Sequence, residues 1–395
     1  MMLSKKIRLK PTPEQEVLFW KHVGASRWAY NYFIAENQRV YAEYLAHDKQ
    51  GKSFLSSNDV KKQITQMKKT THTWLSELSS HTVSWSVQNA EDKYRQWFGG
   101  KIGFPKFKTK RNTKPTFYVR YDYLIRKAIG FRGERLGIVR TAEPLPKIPK
   151  DTHYSDPHIS YDGKYWYLSV SYPVESKQVE LSDESLGIDL GVKDLAICSN
   201  GMTYKNINKS KKVKKLKKRL KREQRKLSRK MTANIKGYES KGKSKSPIFE
   251  RPLYECKNYQ KQKQKIQLLN RKLTNIHQNY LHQTTTELVK TKPYRVVMEN
   301  LNVSGMLKNK HLAKAISEQK FYEFIRQMKY KCELYGIKFI QADRFYPSSK
   351  TCSCCGNIKS DLKLSDRVYQ CDACGLVIDR DFNASINLAK YKSAQ

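Results

Sequence analysis

The sequence predicts an α+β chain of several domains, and three observations carry that reading. Apolar strands that end in acids alternate with an amphipathic helix, which is the grammar of an α/β core. Short alternating segments with turn signals come before that core. Two Cys-x2-Cys pairs stand fifteen residues apart near the end of the chain. A length of 395 residues suffices for two or three domains, and 38% hydrophobic content excludes a disordered tail carrying a motif.

Residues 2–10 alternate and are basic, as a short strand would be. Thr12-Pro13-Glu14-Gln15 then predicts a helix start: Thr12 caps, Pro13 suits the first helical position, and Gln15 completes a capping box. Val17, Leu18, Val23, Trp28, Tyr32 and Phe33 carry an apolar stripe, and helical pattern continues with breaks to about Phe98. Gly99-Gly100 and Gly103-Phe104-Pro105 end it. Beyond Thr116 the texture changes to strands, with Phe117–Val119 and Gly137–Val139 as short candidates. His158–Ser160 and Tyr165–Tyr172 flank Asp162-Gly163, a hairpin turn signal. Residues 116–175 therefore predict a small β-barrel, which the first strand joins.

Lys and Arg total 77 against 36 Asp and Glu, a net charge of +41. A chain this basic repels itself unless it meets a polyanion, so nucleic acid is the first partner to consider. Residues 205–230 hold fifteen Lys or Arg and a single acid, Glu223, while Val213, Leu216, Leu220 and Leu227 keep a helical spacing. A second helix reads off Tyr259, Ile266, Leu269, Leu273, Ile276 and Tyr280, with a Gly/Ser/Lys-rich link at Lys236–Pro247 between the two. The pair predicts an antiparallel helical hairpin with a basic outer surface. No apolar run is long enough to span a bilayer, and the N-terminus lacks the apolar core of a signal peptide, so a protein of the reducing cytoplasm is expected.

The candidate chemistry lies in carboxylates. Asp189, in Gly187-Ile188-Asp189-Leu190-Gly191, interrupts an apolar strand, where an unpaired acid is costly and needs a cation or a strong donor. Glu299 ends a second such strand, Arg295–Leu301. Ser317–Tyr335 then predicts an amphipathic helix, and Ile337–Ala342 a returning strand. A third acid opens the last helix within Asp379-Arg380-Asp381-Phe382-Asn383, where the residues alone leave Asp379 and Asp381 open. One strand-end acid is ordinarily a cap or a surface ion pair. Three in these settings would hold two Mg²⁺ ions, which prefer oxygen ligands. His277 and His282 are read as packing or RNA-contact residues.

Cys352, Cys355, Cys371 and Cys374, with Gly356 and Gly375 after the two knuckles, have the spacing of a four-thiolate zinc ribbon. Four protein ligands leave no open position for water, so the Zn²⁺ is structural. Cys354 is the odd thiol and is left out of the set.

Together these residues resemble TnpB, the RNA-guided nuclease of bacterial insertion sequences, and its relatives the type V CRISPR effectors. The elements that carry the resemblance are Lys10-Pro11-Thr12-Pro13-Glu14-Gln15, Gly187–Gly191, Met298-Glu299-Asn300-Leu301-Asn302, Ser348-Ser349-Lys350-Thr351-Cys352 and Asp379–Asn387. The resemblance implies an RNase H-like (RuvC) α/β core in three parts, 184–205, 291–346 and 377–395. It implies a wedge β-barrel, 1–11 and 115–183, interrupted by a helical recognition domain, 12–114. A basic helical hairpin, 206–290, and a zinc-ribbon domain that binds target nucleic acid, 347–376, complete the chain. Asp189, Glu299 and Asp381 would be the catalytic acids, Asp381 being chosen over Asp379 by the resemblance. The family implies an RNA-guided DNA endonuclease, monomeric in its complex, using a guide RNA from the transposon end. It would select double-stranded target DNA beside a short motif. The alternative is an RNA-guided DNA-binding repressor or transposition regulator without cleavage; loss of an acid would mark it, and all three are present. The long hairpin link with Pro247 and Pro252 departs from the family pattern.

Overall fold

The computed structural model of the chain describes residues 1–241, 244–363 and 366–392. It divides into two compact units, Met2–Val174 and Glu175–Gln395.

The first unit opens with β1 (Met2–Lys10), followed by α1 (Pro13–Ala46), α2 (Ser57–Lys69) and α3 (Ser80–Phe98). Six strands come next: β2 (Thr116–Tyr118), β3 (Ile125–Lys127), β4 (Gly130–Gly133), β5 (Gly137–Thr141), β6 (Ser155–Tyr161) and β7 (Trp166–Pro173). They form one seven-stranded sheet in the order β2-β6-β7-β1-β5-β4-β3. The first strand thus lies mid-sheet, with Ile7 opposite Leu168 and Leu9 opposite Thr141. Alternation along β1 buries Ile7 and Leu9 with Phe117, Phe131, Val139, Trp166 and Leu168, and Phe19 and Val23 of α1 join that core. The capping box forms as predicted, Thr12 accepting from the Gln15 amide and Gln15 Oε1 from the Thr12 amide. A separate core of Phe33, Ile34, Val60, Ile64, Leu78, Val83 and Val87 holds the three helices together.

The second unit is built on a five-stranded sheet, β10-β9-β8-β13-β14. Here β8 (Ser182–Leu190), β9 (Asp194–Cys198) and β10 (Thr203–Lys205) form an antiparallel meander. β13 (Pro293–Met298) runs parallel to β8, and β14 (Lys338–Gln341) parallel to β13. Between the meander and β13 lie α4 (Lys211–Thr232), β11 (Ile235–Lys241), β12 (Ser244–Phe249) and α5 (Lys257–Lys290). α6 (Val303–Met306), α7 (Ala313–Gln319) and α8 (Phe321–Leu334) separate β13 from β14, and β15 (Val368–Gln370), β16 (Val377–Asp379) and α9 (Arg380–Lys390) close the chain.

The two faces of this sheet follow from a period of two. Leu186, Ile188, Val296 and Met298 pack with Leu281, Leu288, Phe321, Phe324 and Met328 of α5 and α8. The intervening residues face the other way, where Val297 packs with Leu388 of α9. Gly187 permits that contact: a Cβ there would lie 2.0 Å from the Ser385 carbonyl oxygen and 2.4 Å from the Ala389 nitrogen. The small residue admits a helix backbone against the strand.

Two predictions are corrected. The helix expected over Ser317–Tyr335 breaks at Lys320, whose φ of 57° is left-handed, so α7 and α8 are separate. The link expected at Lys236–Pro247 is a two-stranded antiparallel ribbon, β11 with β12, pairing Tyr238 with Pro247 and Glu239 with Ser246; residues 242–243 of that link lie outside the described residues. The helices it joins pack as predicted, on Val213, Leu216, Leu269 and Leu273. Glu223, the one acid of the basic run, is buried between them and accepts from Gln262 Nε2 at 2.8 Å. Among the described residues no helix is long and apolar enough to cross a membrane.

Candidate active site and metal centre

Alternation puts Asp189 and Glu299 on the α9 face of the sheet. The parallel register pairs Val297 with Gly187 and Met298 with Ile188, so one further step aligns Glu299 with Asp189. α9 begins above this edge because Asp379 caps it. One carboxylate oxygen of Asp379 accepts from the amides of Asp381 and Phe382, both at 3.0 Å. Its far end is fixed through Ser185 Oγ and Arg295 Nη2, which donate to the Ala389 carbonyl at 2.7 and 2.8 Å.

Asp189 feels the charge of the other two acids. It is partly buried on β8. Desolvation pushes it well above the ordinary carboxylate range; Glu299 and then Asp381 push in the same direction, Arg380 opposes, and Asp379 adds a smaller push. Glu299 accepts from Ser348 Oγ at 2.5 Å, and Asp381 is paired with Arg380 at 2.9 Å. Asp379, exposed and committed to helix amides, is placed differently from Asp381. Sequence reasoning missed Ser348 and Arg380. Arg380 sits within the Asp-Arg-Asp run, whereas Ser348 is 49 residues from Glu299 and gives no local signal.

Carboxylate oxygens are the ligands that hard cations prefer, and the repulsion that Glu299 and Asp381 exert on Asp189 is what a bound cation would relieve.

The cysteines meet a tighter test. Cys352 and Cys374 have their sulfurs 3.6 Å apart, as do Cys355 and Cys371. A tetrahedral ion with Zn–S bonds of about 2.3 Å needs sulfurs about 3.8 Å apart, so these four fit Zn²⁺. The knuckles repeat: the amides of Gly356 and Gly375 donate to the carbonyls of Cys352 and Cys371, both at 3.0 Å, and both glycines have positive φ, 79° and 71°. The Cys374 amide leads in holding the Cys371 thiol down to about 6, whereas the Cys374 thiol is pushed up to about 12 and Cys355 upward as well, so without an ion the first negative charge of the set falls on Cys371. Cys354 is exposed and outside the set. Asn383 and Asn387 of α9 join the two centres. Asn383 donates to the Thr351 carbonyl at 2.7 Å and accepts from the Ser353 amide at 2.9 Å, and Asn387 donates to the carbonyls of Ser348 and Thr351 at 2.8 and 2.6 Å. The last helix thus carries one acid to the sheet edge and anchors the cysteine knuckle. His277 is a packing residue, buried and bonded to the Leu273 carbonyl and to Asn208 Oδ1.

A mixed α+β chain with clustered acids and a four-cysteine metal centre is the class that fold and site define. Three family models match it: "Helix-turn-helix domain" of OrfB_IS605 over residues 1–45, "Probable transposase" OrfB_IS605 over 168–310, and "Cas12f1-like, TNB domain" over 321–388. The chain belongs to the TnpB/OrfB_IS605 family, related to Cas12f. A "Putative RNA-guided DNA endonuclease" of Streptomyces pristinaespiralis is 28% identical over 390 residues, covering 97% of this chain and 87% of the relative. A protein of the same description from Escherichia coli K12, InsQ, is 27% identical over 403 residues, covering 97% and 90%. A solved Cas12f1–sgRNA–target DNA complex has the same fold, with a TM-score of 0.54 at 13% identity over 98% of each chain. In this chain the segment matched as a helix-turn-helix is β1 followed by the single long helix α1.

Proposed function

We propose that this chain is an RNA-guided DNA endonuclease that hydrolyses phosphodiesters at Asp189, Glu299 and Asp381. The observation that carries the reading is the approach of three acids from β8, the end of β13 and α9 at one edge of a mixed sheet, with Asp189 held well above its ordinary pKa by burial and then by Glu299 and Asp381. An antiparallel meander extended by two parallel strands is the arrangement of an RNase H-like, RuvC-type core. In this reading the core comprises 184–205, 291–346 and 377–395. The first unit supplies a wedge barrel, 1–11 and 115–183, around a recognition layer, 12–114. The hairpin 206–290 offers phosphate contacts, and the ribbon 347–376 contacts target nucleic acid.

Mg²⁺ bound by the three carboxylates would supply activation of water and stabilisation of the departing 3′ oxygen. The chain's own residues hold that site in place. Ser348 orients Glu299 through its hydroxyl hydrogen, and Asp379 fixes the first turn of α9 so that Asp381 stays over the sheet. Arg380 pairs with Asp381 and limits the repulsion among the acids. The relatives whose names record RNA-guided DNA cutting match over 97% of this chain, which supports the same partners here: a guide RNA and double-stranded target DNA. The test is to purify the protein with its RNA, sequence that RNA, and assay cutting of a matching duplex beside a randomised motif. Mg²⁺-dependent cutting that requires the RNA is the expected outcome; full activity without RNA contradicts guidance.

A further inference from the structure

Residues 348–353 form a strap that leads from the carboxylates to the first cysteine of the knuckle. Ser348, Cys352 and Ser353 are all buried. At one end the Ser348 hydroxyl donates to Glu299 at 2.5 Å. At the other, Cys352 belongs to the four-sulfur site. Between these ends the strap is gripped by one face of α9. Asn383 brackets Cys352: its Nδ2 donates to the Thr351 carbonyl at 2.7 Å, and its Oδ1 accepts from the Ser353 amide at 2.9 Å. Asn387 Nδ2 donates to the carbonyls of Ser348 and Thr351 at 2.8 and 2.6 Å. Lys390 Nζ donates to the Ser353 carbonyl at 2.5 Å. Both asparagines are buried, so a bond lost here leaves a polar group that water does not reach.

The other side of the same helix lies on the five-stranded sheet. Asp381, Ser385 and Ala389 recur every four residues, and the backbone of the last two closes on Gly187 so tightly that a methyl group would not fit. Asn383 and Asn387 are likewise four apart, and each lies two residues, about 200°, round the helix from that row. The eleven residues of α9 are therefore a spacer with little slack, the carboxylates on one side and the knuckle on the other.

This arrangement has an energetic consequence. Four thiols without an ion do not attract one another, so the strap loses its anchor at Cys352. Cations at the acids must then order Ser348 and the start of α9 unaided, at a cost in conformational entropy that the zinc-bound chain has already met. We propose that Asn383 and Asn387, with Ser348, couple the two metal centres. An ion held by the four cysteines raises the affinity of Asp189, Glu299 and Asp381 for their cations, and those cations tighten the hold on zinc by the same factor. The asparagines are positioning residues that act through the strap and the helix. The inference rests on the reading of the three acids as a cation site.

The test uses the RNA-free full chain and Mn²⁺, which takes the same oxygen ligands as Mg²⁺ and whose paramagnetic resonance signal reports the unbound ion. Its affinity is compared between the zinc-bound parent and a zinc-free chain carrying Cys371→Ser and Cys374→Ser. The zinc-free chain should bind Mn²⁺ about tenfold more weakly. Asn387→Leu and Ser348→Ala should each keep one zinc per chain yet bind Mn²⁺ less tightly than the parent. Adding the two serines to either should cost only about a further twofold, because the path is already cut. A residue that merely supported the fold would lower the melting temperature and leave the zinc effect at full size. Should the serine chain not fold, the reverse direction reads the same quantity: Mg²⁺ should tighten zinc about tenfold against a chromophoric chelator in the parent, and far less in Ser348→Ala, which removes only a hydroxyl. Asp189→Asn separates this proposal from the reading beneath it. If that variant binds Mn²⁺ as the parent does, the acids are not the cation site and both fall. If it loses Mn²⁺ while the parent binds equally with and without zinc, the cation site stands and the coupling is overturned. Variants at Asn387 and Ser348 that keep the full zinc effect overturn it too.

Discussion

Asp189 is held above the ordinary carboxylate value of 3.8 by burial and by Glu299 and Asp381, so without metal its ionised form is disfavoured in the folded state. The sign follows from linkage. A raised folded-state pKa contributes stability that is complete below 3.8 and is lost as pH rises through the raised value. Asp189→Asn should therefore raise the melting temperature of metal-free protein near neutral pH, with the advantage shrinking to nothing in acid; melts across that range check it. Asp381 and Asp379 separate by variant. Asn caps a helix as well as Asp, so Asp379→Asn should keep cutting within a few-fold, whereas Asp381→Asn should lose on the order of 10³-fold, several kcal/mol of barrier. Single-turnover cleavage rates distinguish the two. Asp189 stood out because it interrupts an apolar run, and Glu299 because it ends one. Asp379 and Asp381 lie together in a polar helix start, where only the capping geometry tells them apart. Ser348 was illegible because its partner is distant along the chain.

Gly187 is the joint on which the elements turn. Added at this position, a methyl group would strike the backbone of α9 rather than a flexible side chain. Gly187→Ala should cost about 3 kcal/mol or more in stability and depress cutting, because Asp381 rides on α9; denaturant melts and cleavage rates read both. The zinc knuckles are a separate support. Serine at Cys371 and Cys374 should release one zinc per chain, measured by metal analysis, and loosen the C-terminal part, seen as faster hydrogen exchange in α9. Strand alternation and the cysteine spacing made these elements readable in advance. The ribbon β11–β12 was not, because Gly, Ser and Lys dominate its composition and only Ile235, Tyr238, Ile248 and Phe249 hint at strands. The break at Lys320 was also hidden, since the apolar pattern runs straight through it.

At the scale of the molecule, the net charge of +41 must be met by polyanion. Binding of nucleic acid should fall by about 10³-fold or more between low and moderate salt, as counterion release at several phosphates requires; titrations at a series of salt concentrations give the slope. Composition alone pointed to a polyanionic partner. The most direct test of the central claim is Mg²⁺-dependent cutting of a guide-matched duplex by the RNA-bound protein, comparing the parent with Asp189→Ala. Loss of cutting in the variant with RNA and DNA binding intact is the expected result; a variant that still cuts at the parental rate contradicts it.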